Sequence, residues 1–129
     1  PPNVLRGRVM RILLVEDDKA LNRAVTFKLE QKGHRVISTF RSEEAFEALR
    51  TKPEIDLIWL DILLPGMNGI DFLREIRNRP EGKNKKVVIC SVSGGVNSQE
   101  IALNLGVVDY LVKSDYDLNN LVDTVVGYV

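Results

Sequence analysis

Apolar residues along this chain fall into two alternating patterns. Continuous runs recur at residues 9–15, 55–60, 87–90 and 109–112, with a weaker one at 35–39. Runs of that length, bounded by turn residues, read as strands buried on both faces. Between them, apolar residues recur every three or four positions, the spacing of one helical face. Leu21, Ala24, Val25 and Leu29 mark a first helix, with Asp18 placed to cap its start and Gly33 its stop. Ser42 is placed to cap a second helix carrying Ala45, Phe46 and Leu49, and Pro53 lies just beyond its end. Gly69 opens a third helix with Ile70, Leu73 and Ile76, which stops before Pro80. Residues 79–86 read as a polar surface loop and 92–95 as a flexible turn. Ile101, Ala102 and Leu105 mark a short fourth helix ending at Gly106. The last helix begins near Ser114, with Leu118, Leu121, Val122, Val125 and Val129 as its apolar stripe.

Five strand–helix units follow one another without a break in composition or a linker. Alternating units of this kind predict an α/β fold: a parallel sheet with helices on both faces and right-handed crossovers. Five units suit an open, doubly wound sheet over a barrel, which needs more strands. Residues 9–129 form one domain, and residues 1–8 read as a short arm or an expression remnant.

The 129 residues suffice for one domain with a real core. Hydrophobic content of 44% with 28% charged residues argues against disorder. Formal net charge is zero, so no general attraction draws the chain to nucleic acid or anionic lipid. Any anion it handles needs a local site. No apolar run approaches 18 residues, which predicts no membrane span. Residues 1–10 lack the apolar stretch of a signal peptide. One cysteine, Cys90, fits a reducing, cytoplasmic setting.

Four strands end in a chemically capable group. The first delivers Glu16 and Asp17, the third Asp61, the fourth Ser91 and the fifth Lys113. Parallel strands put all these ends on one edge, where open α/β sheets bind ligands. The second strand, ending at Thr39-Phe40, is silent, as an outermost strand would be. Three carboxylates brought together repel one another, and a hard cation relieves that repulsion. Oxygen ligands with open positions suit Mg²⁺, which keeps several waters and takes phosphate oxygens. Lys113 adds a cation, Ser91 a hydroxyl, and backbone N–H groups after Ser91 an anion cradle. The set fits phosphoryl transfer to a carboxylate, with Asp61 as the acceptor that becomes an aspartyl phosphate.

The chain resembles the response-regulator receiver domains of two-component signalling. The residues that carry the likeness are Ile12-Leu13-Leu14-Val15-Glu16-Asp17-Asp18, Asp56-Leu57-Ile58-Trp59-Leu60-Asp61 with Leu64-Pro65-Gly66-Met67-Asn68-Gly69, then Cys90-Ser91, and Gly106 followed by Asp109-Tyr110-Leu111-Val112-Lys113. It runs from about residue 10 to the C-terminus, and four motifs in order, each at a strand end, are specific. The resemblance implies the flavodoxin-like strand order 2-1-3-4-5. It implies Asp61 as phosphoacceptor, Asp17 as a direct Mg²⁺ ligand, Glu16 acting through a metal-bound water, and the Leu63 backbone carbonyl as third protein ligand. Ser91 and the Val92 backbone contact the phosphoryl group, Lys113 pairs with it, and Ser91 and Tyr110 form the switch. The implied donor is a histidine kinase or phosphotransfer domain. An output partner, or a second copy, is implied at the face of the fourth helix, fifth strand and last helix. No nucleic-acid or membrane partner is implied within these residues.

Three departures from the family pattern stand out. Ser114 replaces the usual Pro after the lysine; a non-proline cis bond costs about 2.5–4 kcal/mol, so a trans or strained bond is predicted at Lys113–Ser114. Residues 114–117 fit a helix capping box instead. Val92 is bulkier than the usual small residue and narrows access to the acyl phosphate. Leu63 and Ser93 lie where the family tunes dephosphorylation, and an apolar Leu63 cannot orient a water, which predicts slow self-dephosphorylation.

Plainer readings apply elsewhere. Trp59 belongs in the core, Cys90 is a buried small hydrophobe, and His34 is an isolated, exposed histidine. Lys83, Lys85 and Lys86 form a solvated loop. Three rival functions are weaker. An aspartate-nucleophile phosphatase wants an acid two residues after the nucleophile, where Leu63 stands. A flavodoxin-like cofactor binder wants a phosphate loop where Glu16-Asp17-Asp18 stand. A degenerate receiver acting as a scaffold should have lost a site residue, and none is missing.

Overall fold

The computed structural model describes residues 9–92 and 95–128. Five strands, β1 (Arg11–Val15), β2 (Arg35–Thr39), β3 (Leu57–Leu60), β4 (Lys86–Ser91) and β5 (Asp109–Val112), form one parallel sheet. Its order is β2-β1-β3-β4-β5, so β2 is an outer strand, as its silence predicted. The crossovers are α1 (Lys19–Gln31), α2 (Ser42–Thr51), α3 (Gly69–Arg77) and α4 (Val96–Asn104). A 3₁₀ turn (Lys113–Asp115) precedes α5 (Leu118–Val126).

The unbroken apolar runs are explained by two cores. Along β1, β3 and β4, alternate residues point to opposite faces. Ile12, Leu14, Leu57, Trp59, Val88 and Cys90 pack under α1 and α5. Leu13, Val15, Ile58, Leu60, Val87 and Ile89 pack under α2, α3 and α4. Burying one such side chain stabilises by about 1.5–3 kcal/mol relative to exposure. Trp59 and Cys90 are fully buried, as predicted, and burial pushes the Cys90 thiol far above its ordinary range.

Local signals held where both partners are close in sequence. Asp18 accepts a hydrogen bond from Leu21 N at 3.0 Å and caps α1. The Lys113–Ser114 bond is trans, since the described residues contain no cis peptide. Four local expectations need correction. Ser42 does not cap α2: Arg41 holds the cap position without a side-chain bond, and the Ser42 hydroxyl donates to Met67 O at 3.0 Å, tying α2 to the loop after β3. Residues 114–117 are not a capping box. Ser114 lies in the 3₁₀ turn, and Asp117 caps a helix that starts at Leu118 by accepting from Asn120 N at 2.8 Å. His34 is half-buried, with Nδ1 accepting from Met10 N at 3.1 Å. Lys85 is not simply solvated; its ammonium donates to Pro53 O and Ile55 O at 2.7 and 2.6 Å. The expectations placed on residues 1–8, Ser93 and Val129 lie outside the described residues.

Candidate phosphoacceptor site

The sheet register decides what meets at its carboxyl edge. Val15 is level with Thr39 and Leu60, and Leu60 with Ile89. The next residues, Glu16 and Asp61, therefore leave adjacent strands side by side. Glu16 N bonds Thr39 O at 3.1 Å, and Asp61 N bonds Val15 O at 3.0 Å, so both acids sit on backbone still held by the ladder. Ser91 remains inside β4, level with Val112, the residue before Lys113.

Glu16, Asp61 and Ser91 are buried, at 1%, 4% and 1% exposure, while Asp17 is exposed. Glu16, Asp17 and Asp61 each offer an oxygen, and those oxygens lie within 4.8 Å of one another. The Lys113 ammonium reaches Glu16 Oε1 at 2.5 Å and Asp61 Oδ2 at 3.4 Å. Asp61 Oδ1 accepts from Leu63 N at 3.2 Å, which fixes the rotation of the carboxylate. Glu16 Oε2 accepts from Asp18 N at 3.0 Å.

These contacts set the charge. Burial alone disfavours an ammonium at Lys113, but its hydrogen bond to Glu16 and the charges of Asp61 and Glu16 outweigh that and hold its pKa up. Burial pushes the Glu16 carboxyl up, with the Lys113 and Asp18 hydrogen bonds pulling against it and the Asp61 charge adding to it. One ammonium faces three carboxylates, so the cluster keeps excess negative charge. A hard, oxygen-seeking cation at Asp17 and Asp61 suits that donor set.

Two further residues support the edge: Asn22, which sequence reasoning passed over, and Gly69, which it read only as a helix start. Asn22 is a buried amide on α1. Its Nδ2 donates to Glu16 O at 2.9 Å and to Thr39 O at 3.0 Å, and its Oδ1 accepts from Ser38 and from Thr26. Thr39 in turn donates to Leu14 O at 2.7 Å. The strand with no chemistry of its own thus anchors the acidic loop. The signal was present: Asn22 shares a helical stripe with Val25 and Leu29, where a polar residue needs buried partners. Gly69 is the second. A Cβ there would lie 2.4 Å from Asp61 O and 2.6 Å from Ile62 Cα, so only glycine lets α3 start against the loop after Asp61.

The far side of the edge is more open. Val92 and Leu63 are exposed at its mouth. Tyr110 is half-buried on β5 and packs against the core under α2, α3 and α4. The opposite end of the sheet holds an open cleft of about 500 Å³, lined by Arg77, Lys83, Lys85 and Gly106 among others. Its inward cations are already committed to carbonyls. It gathers no acid or nucleophile, so the chemistry stays at the carboxyl edge.

Comparison with known proteins agrees with this geometry. The family model described as the response regulator receiver domain matches residues 12–126. The phosphate regulon transcriptional regulatory protein PhoB of Rhizobium meliloti (strain 1021) is 34% identical over 103 residues, covering 80% of this chain and 45% of its own length. The chain thus spans just under half of that relative. Among solved structures, the chemotaxis protein CheY4 of Vibrio cholerae shares the fold, with a TM-score of 0.84 at 20% identity, covering 95% of this chain and all of that one. The phosphorylated cyanobacterial phytochrome response regulator RcpA aligns with a TM-score of 0.80 at 32% identity, covering 93% and 91%.

Proposed function

This chain belongs to the response-regulator receiver family, and from that premise we propose that Asp61 takes a phosphoryl group from a histidine kinase or phosphotransfer domain. The observation that carries the proposal is the buried Asp61 carboxylate, 3.4 Å from the Lys113 ammonium and grouped with Glu16 and Asp17 within 4.8 Å. The site would hold Mg²⁺ through Asp17, Asp61 and the Leu63 carbonyl, with Glu16 acting through water. Bound there, the ion would neutralise charge on the phosphoryl oxygens. Asp61 forms the new O–P bond as the N–P bond to the donor imidazole breaks. Lys113 shifts its contact from Asp61 toward the incoming phosphoryl oxygens. Ser91 donates its hydroxyl and Val92 its backbone N–H to the same oxygens. Ser91 and Tyr110 then carry the change to the α4–β5–α5 face, as a phosphorylation-biased two-state equilibrium. In this reading the chain is a cytoplasmic signalling phosphoacceptor rather than an enzyme turning over free substrates.

The test is direct. Incubation with Mg²⁺ and acetyl phosphate should add one phosphoryl mass, and Asp61→Asn should abolish the gain. No gain, or a gain that survives Asp61→Asn, would overturn the proposal. Leu63 bears on the lifetime. It is exposed and apolar and has no side-chain group to orient an attacking water. The phosphoryl group should persist for minutes or longer, and Leu63→Asn should shorten that. A wild-type lifetime of seconds would count against the role given to Leu63.

A further inference from the structure

Charge is unevenly spread along a chain whose total is zero. Of its 18 Lys and Arg residues, only Lys113 lies beyond Lys86, whereas Glu100, Asp109, Asp115, Asp117 and Asp123 all do. That stretch supplies α4, β5, the 3₁₀ turn and α5. Its one cation is turned away, onto Glu16 and Asp61. Asp123 is paired with Lys32 of α1 at 2.7 Å. Asp109 accepts from the Tyr128 hydroxyl and from Tyr110 N, and Asp117 caps α5. None of Glu100, Asp109, Asp115 and Asp117 has a Lys or Arg partner among the described residues. Lys83 and Lys86 border the face only at the end away from Asp61, beside Asn104 and Val108.

The same stretch also exposes aliphatic side chains. Helix α4 buries only Ala102. Val96 and Leu103 are 70% and 55% exposed, and Val108 in the following connection is also exposed. Val96, Glu100 and Leu103 stand at i, i+4 and i+7, one stripe of the helix. The stripe thus offers two aliphatic contacts around a carboxylate.

We infer that the α4–β5–α5 face docks a basic amphipathic segment of another protein, with aliphatic side chains meeting Val96 and Leu103 and Lys or Arg meeting Glu100 and Asp115. This deepens the proposed function, which gives that face the output role, by naming the partner's chemistry. A second copy of the chain fits poorly. A two-fold interface places the same patch against itself, and this patch would set carboxylates against carboxylates with no cation between them. Like charges across an interface suppress that pairing.

Two synthetic helical peptides with identical Leu positions, one filled with Lys and one with Glu, serve as probes. They are titrated into the ¹⁵N-labelled full chain with Mg²⁺ present, with and without beryllofluoride. The Lys peptide should shift amides of α4, β5 and α5 and the Glu peptide should not. Glu100→Lys with Asp115→Lys should weaken binding about tenfold while leaving the rest of the spectrum in place. The inference is overturned if both peptides bind alike, if the shifts fall on Glu16 and Asp17 instead, or if sedimentation shows a dimer through this face. Acetyl phosphate mass gain is measured on the same samples. A chain that is phosphorylated but ignores the Lys peptide loses this inference and keeps the proposed function; the reverse result separates them the other way.

Discussion

The two halves of the carboxyl edge are built differently. On the β1–β3 side, Glu16 and Asp61 sit on backbone held by the sheet ladder, Asn22 ties two strand ends together, and α3 starts in backbone contact with the Asp61 loop. Helix α3 buries Gly69, Ile70, Phe72, Leu73 and Ile76 and is capped by Asn68. On the β4–β5 side, α4 buries one residue and has no side-chain cap at Gly95. Its far end is held, because Arg77 donates to Leu105 O at 2.7 Å and Gly106 O at 3.2 Å. Helix α4 is therefore pinned at the end remote from Asp61, while its start has no side-chain cap. Segments with few buried apolar contacts open at low free energy. The proposed function would use that division: stiffness where charge is positioned, slack where a change would travel.

The largest break should come from the stiff half. Gly69→Ala drives a Cβ into Asp61 O and Ile62 Cα, which are backbone atoms that cannot swing away. A loss of about 3 kcal/mol is expected from overpacking of this kind. Urea unfolding measures it. A loss below about 1 kcal/mol would show that the Asp61 loop yields, and the contrast between the halves would fail.

Arg77→Met tests the pin. Besides Leu105 O and Gly106 O, Arg77 bonds Gly82 O and Lys85 O at 2.8 Å, and burial lowers its pKa. Removing it leaves those carbonyls short of a donor, at about 2–3 kcal/mol. Arg74→Ala, at an exposed ion pair with Asp71, should cost less than about 0.5 kcal/mol. Equal effects would mean that α4 is not held by Arg77.

Asn22→Ala comes next, at about 2 kcal/mol for a buried amide that satisfies two carbonyls. It should also weaken Mg²⁺ binding, read by titration of Trp59 fluorescence. Asn97→Ala, on exposed α4, should change neither. An Asn22 variant of lower stability with unchanged Mg²⁺ affinity would assign the residue to folding alone.

These residues mark the limit of what the sequence discloses. The fold class was legible because two-sided burial writes itself as continuous apolar runs; β2 and β5 fall at 35–39 and 109–112 as read. Glu16, Asp17, Asp61, Ser91 and Lys113 were legible because each ends a run. Arg77, Lys85 and Asn22 were not, because their partners lie 28, 32 and 17 residues away. Periodicity says which face a residue occupies, not which carbonyl waits across it. Ser42 and Ser114 misled for the same reason: a serine before a helical run looks like a cap until a distant carbonyl or a preceding turn is known.

A smaller effect lies at the other end of the stiff half. Burial, with help from Lys32, lowers the His34 pKa, and neutral Nδ1 accepts from Met10 N. Protonation removes that acceptor. The contribution is therefore present above the ordinary imidazole value of about 6.5 and is lost as pH falls through the lowered one. Its size is that of one half-exposed hydrogen bond, below about 1 kcal/mol. Unfolding free energies at pH 7.5 and 5.5 should differ less in His34→Ala than in the wild type. An identical pH difference in both would remove His34 from the account.

The smallest change addresses the loose half most directly. Gly95 occupies the N-cap of α4 with φ −54° and ψ 135°, a conformation that serine adopts without strain, and a Cβ there meets nothing within 4 Å. Gly95→Ser supplies an oxygen for the free N–H groups of the first turn, worth a few tenths of a kcal/mol over glycine, whereas Gly95→Ala supplies none. Hydrogen exchange should slow at residues 97 and 98 in the serine variant only, with Asp61 phosphorylation unaltered because no group of the β1–β3 side is touched. In the wild type those amides should exchange faster than those of α3, whose start is capped by Asn68 and packed against Asp61. If the first turn of α4 is already as protected as α3, slack is not built into the start of α4, and any signal must leave Asp61 through a rigid displacement of the whole helix.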